Sequence, residues 1–269
     1  MSVKRNPLFA TLLEKQKGDF FAWQVCGMNC RWHTFQSYGY FFIPAWESER
    51  FGKKLIPENE VDTVQIYMIR HGQTDRNVRA AYYGLTQAAL TEEGKEQARS
   101  LGAYFKESRW KRVFVSPLER TLDTARLFLS FSAAPIPIEQ DPLLMEQNFG
   151  IFEDQNYEEL CVRFPQEMKL WNADFSDYRI PQGESFRDVR KRVDHFVQAR
   201  KAEVASGLAR REDKILIVAH KGTLGHMTAS FLGLPLEGYW NFVFEQGAYS
   251  RIDLEDGYAI VRKLNQSVR

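Results

Sequence analysis

The chain has 269 residues, of which 44% are hydrophobic and 26% charged, with a formal net charge of +1. That is enough apolar material for one sizeable domain plus an appendage. The near balance of charge leaves no global field to draw nucleic acid or an anionic membrane, and no stretch approaches the roughly 18 apolar residues of a membrane-spanning helix. Neither partner class is expected.

The first residues, MSVKRNPLFATLLEKQKGDF, carry positive charge but neither the apolar centre nor the cleavage site of a secretory leader, so the cytoplasm is the expected location. An aromatic patch follows, WQVCGMNCRWHTFQSYGYFFIPAW, closed by the polar stretch ESERFGKKLIPENE. This change of character puts a boundary near residue 60, between an N-terminal extension of unread role (1–60) and one domain (61–269). Aromatic clusters more often pack than recognise, and the patch is expected to pack. Cys26, Cys30 and His33 are spaced like three metal ligands, but no second ligand cluster follows. Cys26, Cys30 and Cys161 are expected to be buried or idle thiols, three being an odd number for a disulfide framework.

From residue 61 onward, apolar runs of strand length alternate with long helical stretches: VQIYMI (64–69), RVFVS (112–116), IPIEQ (136–140) and KILIVA (214–219). Such alternation predicts an α/β fold, a three-layer αβα sandwich around a mostly parallel central sheet. Two later runs, GAYSRIDL and YAIVRKL, meet at Glu255, Asp256 and Gly257 and predict a hairpin at one edge. The helices carry start signals. Thr91 precedes Glu92 and Glu93, and Ser185 precedes Asp188. In SPLER, Ser116 reads as a cap, Pro117 as the first helical residue and Glu119 as the end of a capping box.

In an open parallel sheet, ligands bind beyond the carboxyl ends of the strands. Three runs end on one chemical theme. Arg70 and His71 follow the first, Arg120 stands in the helical turn after the second, and His220, Lys221 and Gly222 follow the last. If these strands are neighbours, two arginines and two histidines converge on a site for a dianion. Phosphate fits such a set, because guanidinium groups grip its oxygens in a fork and helix N-termini add amide donors. Gly72 lets the backbone approach closely. No Asp/His metal cluster and no GxxxxGK[ST] run accompanies these strand ends, so no metal or cofactor is expected and covalent catalysis by imidazole is the chemistry left.

The run of elements RHGQTDRN (70–77), LTEEGKEQA (90–98), SPLERTLDTA (116–125), LLMEQNFGIFE (143–153), PQGES (181–185) and VAHKG (218–222) resembles the histidine phosphatase superfamily, the phosphoglycerate mutase-like group, over about residues 64–263. The resemblance implies that His71 attacks phosphorus and forms a phosphohistidine while Arg70, Arg120 and His220 hold the oxygens. It implies that Glu146 protonates the leaving alcohol and later takes a proton from water, and that Asn77 aligns the pocket. His71 then needs one free ring nitrogen, so its other nitrogen is expected to donate to a backbone carbonyl. Gly72, Tyr83, Gly84 and Lys221 are further candidates for substrate contact. His195 is expected on a charged helix face, His226 in packing, and Glu184 and Ser185 at a helix start first and in the site second.

Several positions depart from the family's usual pattern: Ala81, Tyr83, Gln87 and Lys221 replace residues common at the pocket rim. The segment after Glu146, GIFEDQNYEELCVRFPQEMKLWNADFSDYRIPQGES, is compact, as in the phosphatase branch, and holds Arg163 and Lys169 in no mutase-like arrangement. The expected function is metal-independent hydrolysis of a phosphorylated small molecule. A phosphoglycerate mutase-type transferase and a catalytically silent phospho-ligand binder are the alternatives.

Overall fold

The computed structural model describes residues 63–209, 212–255 and 258–268. The expected N-terminal extension, its aromatic patch and Cys26, Cys30 and His33 lie outside the described residues.

The strands are β1 (Thr63–Arg70), β2 (Arg112–Val115), β3 (Ile138–Gln140), β4 (Lys214–Ala219), β5 (Ala248–Glu255) and β6 (Tyr258–Ser267). The helices are α1 (Asp75–Val78), α2 (Glu92–Tyr104), α3 (Glu119–Leu129), α4 (Tyr157–Arg163), α5 (Pro165–Ala173), α6 (Phe186–Ala205) and α7 (Lys221–Phe231). One six-stranded sheet runs in the order β3-β2-β4-β1-β5-β6. The pairs β1–β4, β2–β4 and β2–β3 are parallel, whereas β5 and β6 are antiparallel and finish one edge. That is the expected hairpin, though its turn residues 256 and 257 are outside the described set.

Period-two alternation along β1 fills two cores. Ile66 and Met68 join Val193 and Phe196 of α6 and Leu224 and Met227 of α7 on one face. Tyr67 and Ile69 join Leu101 of α2 and Leu122 and Phe128 of α3 on the other. A strand buried on both faces needs apolar residues at every position, which is why these runs are unbroken. Each fully buried large aliphatic side chain contributes on the order of 1.5–3 kcal/mol, so these two clusters dominate the stability of the sandwich. A smaller third core, with Phe152, Leu160, Met168, Trp171 and Ile180, supports the segment after Glu146. Cys161 is an exposed thiol on α4. Among the described residues no helix is long and apolar enough to cross a membrane.

Two expectations need correction. β3 begins at Ile138 rather than Ile136; Pro137 has no amide to give to a ladder. Helix α3 begins at Glu119 with Leu118 as a cap that makes no side-chain hydrogen bond. Ser116 does not cap it, because its amide still donates to Val218 O of the neighbouring strand at 3.1 Å, which keeps the backbone extended. Thr91 and Ser185 do cap α2 and α6, the latter in a full capping box with Asp188.

His195 is exposed on α6, as expected. His226 packs on α7 between Phe186 and Tyr239, at ring-centroid distances of 4.2 and 4.8 Å. Burial, with the charges of Arg190 and Arg192 adding to it, pushes its imidazole from 6.5 down to about 3. The unfolded chain therefore takes up a proton that the folded one refuses. The neutral ring costs nothing above pH 6.5 and removes stability as pH falls from there toward 3. By pH 5 the loss is about 2 kcal/mol. In urea unfolding, wild type is expected to lose about that much more than His226→Phe between pH 7 and pH 5; equal losses in the two proteins contradict the assignment.

Candidate active site

β4 lies between β2 and β1, with Ala219 opposite Arg70 and Val218 opposite Val115. His71, Ser116 and His220 therefore leave the sheet side by side at its carboxyl edge. The imidazoles of His71 and His220 are 5.2 Å apart, centroid to centroid. Both are buried.

His71 Nδ1 lies 2.8 Å from Gly72 O. A carbonyl oxygen can only accept, so Nδ1 carries the proton and Nε2 keeps its lone pair. Burial lowers the His71 pKa well below 6.5, and the charges of Arg120 and Arg70 add to the effect. The ring stays neutral at physiological pH, in the tautomer expected of a nucleophile. Gly72 is in turn fixed by its amide, which donates to Thr124 Oγ1 at 3.0 Å. A Cβ at Gly72 would meet Gly94 O of α2 at 2.3 Å, so the glycine is required by helix packing.

His220 is held differently. Its Nδ1 accepts from Arg120 Nε at 3.3 Å, so its proton sits on Nε2, which donates to Ser116 Oγ at 2.8 Å. Burial lowers its pKa well below the usual value, helped by Arg120. Arg120 also donates to Gly84 O (2.6 Å) and Thr86 O (3.1 Å), and its guanidinium lies over the Tyr83 ring at 4.7 Å. Arg70 donates to Phe244 O at 3.1 Å, and among the described residues its buried Nε has no partner. Burial lowers both guanidinium pKa values. The pocket thus holds two poorly solvated cations with spare donors, which a dianion stabilises.

Glu146 stands beside the start of α7, where its charge acts on Arg70 and Arg120. Its carboxylate accepts from Gly222 N at 2.9 Å, at the N-terminus of α7, and from Gln147 N at 3.0 Å. The loop that carries it is tied down by Arg192, which donates to Leu143 O and Glu146 O, both at 2.9 Å. Glu184 completes the tie, pairing with Arg192 Nε at 3.0 Å and accepting from Asn148 N at 2.9 Å. A second carboxylate, Glu153, accepts from the amides of Gly84, Leu85, Thr86 and Phe149. The stretch 84–86 is clamped between Glu153 and Arg120. Glu153→Ala is expected to cost about 2 kcal/mol by leaving partly buried amides unpaired. It should also raise KM, because Arg120 loses its carbonyl anchors. Urea unfolding and steady-state kinetics check both, and unchanged values sink the clamp.

Not every rim candidate reaches the pocket with a free group. Gly84 spends its amide on Glu153 and its carbonyl on Arg120. Tyr83 is buried and shares a 2.7 Å hydrogen bond with Thr74 Oγ1. Asn77 completes a capping box with Thr74 and accepts from Gln246 Nε2 at 2.6 Å. Lys221 is exposed at the first position of α7. Sequence reasoning missed Ser116, Thr124, Glu153, Arg192 and Gln246 as site-building residues. Ser116 stood in the right motif but was assigned to a cap. Among the described residues no group of three or more His, Cys, Asp and Glu side chains is placed to hold a metal ion.

Fold and site together define a phosphate-handling enzyme: paired neutral imidazoles and two desolvated arginines at the carboxyl edge of an αβα sandwich. The histidine phosphatase superfamily (branch 1) model matches residues 66–267, and the chain belongs to that family as a phosphoric monoester hydrolase. Over 202 residues it is 33% identical to the adenosylcobalamin/alpha-ribazole phosphatase of Escherichia coli (strain K12), spanning 75% of this chain and 96% of that protein. It is 26% identical to phosphoserine phosphatase 1 of Hydrogenobacter thermophilus, spanning 75% of this chain and 92% of that protein. The crystal structure of the alpha-ribazole phosphatase from Shigella flexneri superposes with a TM-score of 0.68 at 33% identity, covering 75% of this chain and 96% of that one.

Proposed function

We propose that the protein hydrolyses phosphomonoesters of small metabolites, without a metal ion, through a phosphohistidine on His71. The observation that carries this is the His71 tautomer: Nδ1–H committed to Gly72 O and Nε2 left as a neutral nucleophile beside Arg70 and Arg120. In the first step the Nε2 lone pair attacks phosphorus, the bond to the ester oxygen breaks, and Glu146 in its acid form gives the departing alkoxide a proton. In the second, the Glu146 carboxylate takes a proton from water, whose oxygen displaces the imidazole and releases inorganic phosphate. Arg70 and Arg120 neutralise charge on the transferring group, and His220 and Ser116 line its side.

Alpha-ribazole phosphate is the first substrate to test, since relatives that are 33% identical over almost their whole length are named for it, whereas phosphoserine phosphatase 1 is 26% identical. Hydrolysis is favoured over transfer between positions of a sugar acid because Arg163 and Lys169 are exposed on α4 and α5, and Arg179, the third cation of the segment after Glu146, is exposed and paired with Asp188. In this reading residues 61–269 carry the chemistry, residues 1–60 are an extension, and the enzyme works in the cytoplasm, where cell fractionation should find it. The test is hydrolysis of p-nitrophenyl phosphate in EDTA. Turnover by wild type is expected; inertness of wild type in EDTA, with activity restored by a divalent metal, refutes it.

A further inference from the structure

We propose that Trp240, with Tyr239 behind it, forms the leaving-group subsite of this enzyme and receives a planar aromatic ring carried by the alcohol that the phosphate esterifies. The proposal rests on the hydrolase reading above. In-line displacement puts the departing oxygen on the side of phosphorus away from His71, next to the acid that protonates it. The rest of the substrate therefore meets whatever lies beyond Glu146.

Helix α7 shows what that is. A Cβ at Gly222 would stand 2.4 Å from Glu146 Oε1, and one at Gly225 would stand 2.6 Å from Tyr239 Cε2. Residues three apart share a helix face, so the Glu146 carboxylate and the Tyr239 ring lie about one turn apart along the same side of α7. Burial, and next the Glu146 charge, pushes the Tyr239 phenol up, so it stays neutral and presents an apolar wall.

Trp240 comes next along the chain. It meets Tyr239 edge-on at 5.0 Å and 88°, lies nearly parallel to Phe186 at 5.8 Å and 14°, and touches Phe175 at 5.2 Å. Despite three ring neighbours it remains 62% exposed. The segment that follows is tied to the pocket at two points, Phe244 O to Arg70 and Gln246 to Asn77. A rigid indole, braced on one side and open on the other, thus stands against the Tyr239 ring, which shares a side of α7 with the Glu146 carboxylate. Flat rings are recognised by stacking on such surfaces, and an apolar chain or a bare sugar gains less from them.

The test compares kcat/KM for α-ribazole 5′-phosphate, a ribose 5-phosphate bearing a benzimidazole, with that for ribose 5-phosphate itself. Both release a primary ribose alcohol, so their ratio isolates the ring. Wild type should favour the ring-bearing ester, Trp240→Ala should lower the ratio roughly tenfold, and Trp240→Phe should keep it within about threefold of wild type. Hydrolysis of both esters with a ratio unmoved by Trp240→Ala, or with no wild-type preference, overturns the subsite alone. If wild type is inert toward both esters and toward p-nitrophenyl phosphate, the hydrolase reading falls and takes the subsite with it.

Discussion

His71→Ala is expected to lose at least about 10⁴-fold in kcat for p-nitrophenyl phosphate while still binding inorganic phosphate, because removing the nucleophile of a unit that acts together forfeits nearly all of its acceleration. Arg70 and Arg120 are anchored on Phe244 O, Gly84 O and Thr86 O and not on His71. The cationic cradle should therefore survive the substitution. Steady-state kinetics gives the first result and a phosphate-dependent rise in melting temperature the second. Near-normal turnover by the variant would show that another group attacks phosphorus.

Glu146→Gln is the other large effect, and its size should depend on the leaving group. A positioned acid contributes typically about 10²- to 10⁴-fold, so hydrolysis of a ribose 5-phosphate ester should fall by that order. With p-nitrophenyl phosphate the phenolate leaves without protonation, and the first step should slow by less than about tenfold. The second step still needs a base. The variant should then release a burst of p-nitrophenol equal to the enzyme present, followed by slow turnover. Gln keeps an acceptor for Gly222 N, so the loop stays in place. Equal losses on both substrates with no burst would remove Glu146 from proton transfer and leave it a structural carboxylate.

Part of the candidate site was legible because Arg70 closes one buried strand, His71 follows it and His220 directly follows another, whereas Glu146 was reached only through the family resemblance. The two-sided burial that makes KILIVA continuous also makes His220 conspicuous when polarity returns. Strand order could only be assumed from the chain; the placing of β4 between β2 and β1 is what turns three separate strand ends into one pocket. Ser116 was misassigned because a serine followed by proline and, three residues on, by glutamate has the same local pattern whether it caps a helix or faces a histidine 104 positions away. Gly72 was assigned to ligand approach for a similar reason: Gly94 O, the atom that excludes a side chain there, belongs to a distant helix. Arg192 and Glu153 escaped notice because their partners are carbonyls and amides of remote loops, which no periodicity records. Tyr239 and Trp240 sit in a short 3-10 turn after Pro235, where no pattern rule separates a packing aromatic from a recognising one.

The central claim is covalent transfer to His71, and it is tested most directly by trapping. Glu146→Gln enzyme mixed with p-nitrophenyl phosphate in EDTA and quenched into denaturing alkali, which preserves phosphohistidine, should carry one phosphoryl group. Peptide mapping should place that group on His71. Full substrate turnover by wild type with no label on the quenched variant, or label on His220 instead, would contradict the account.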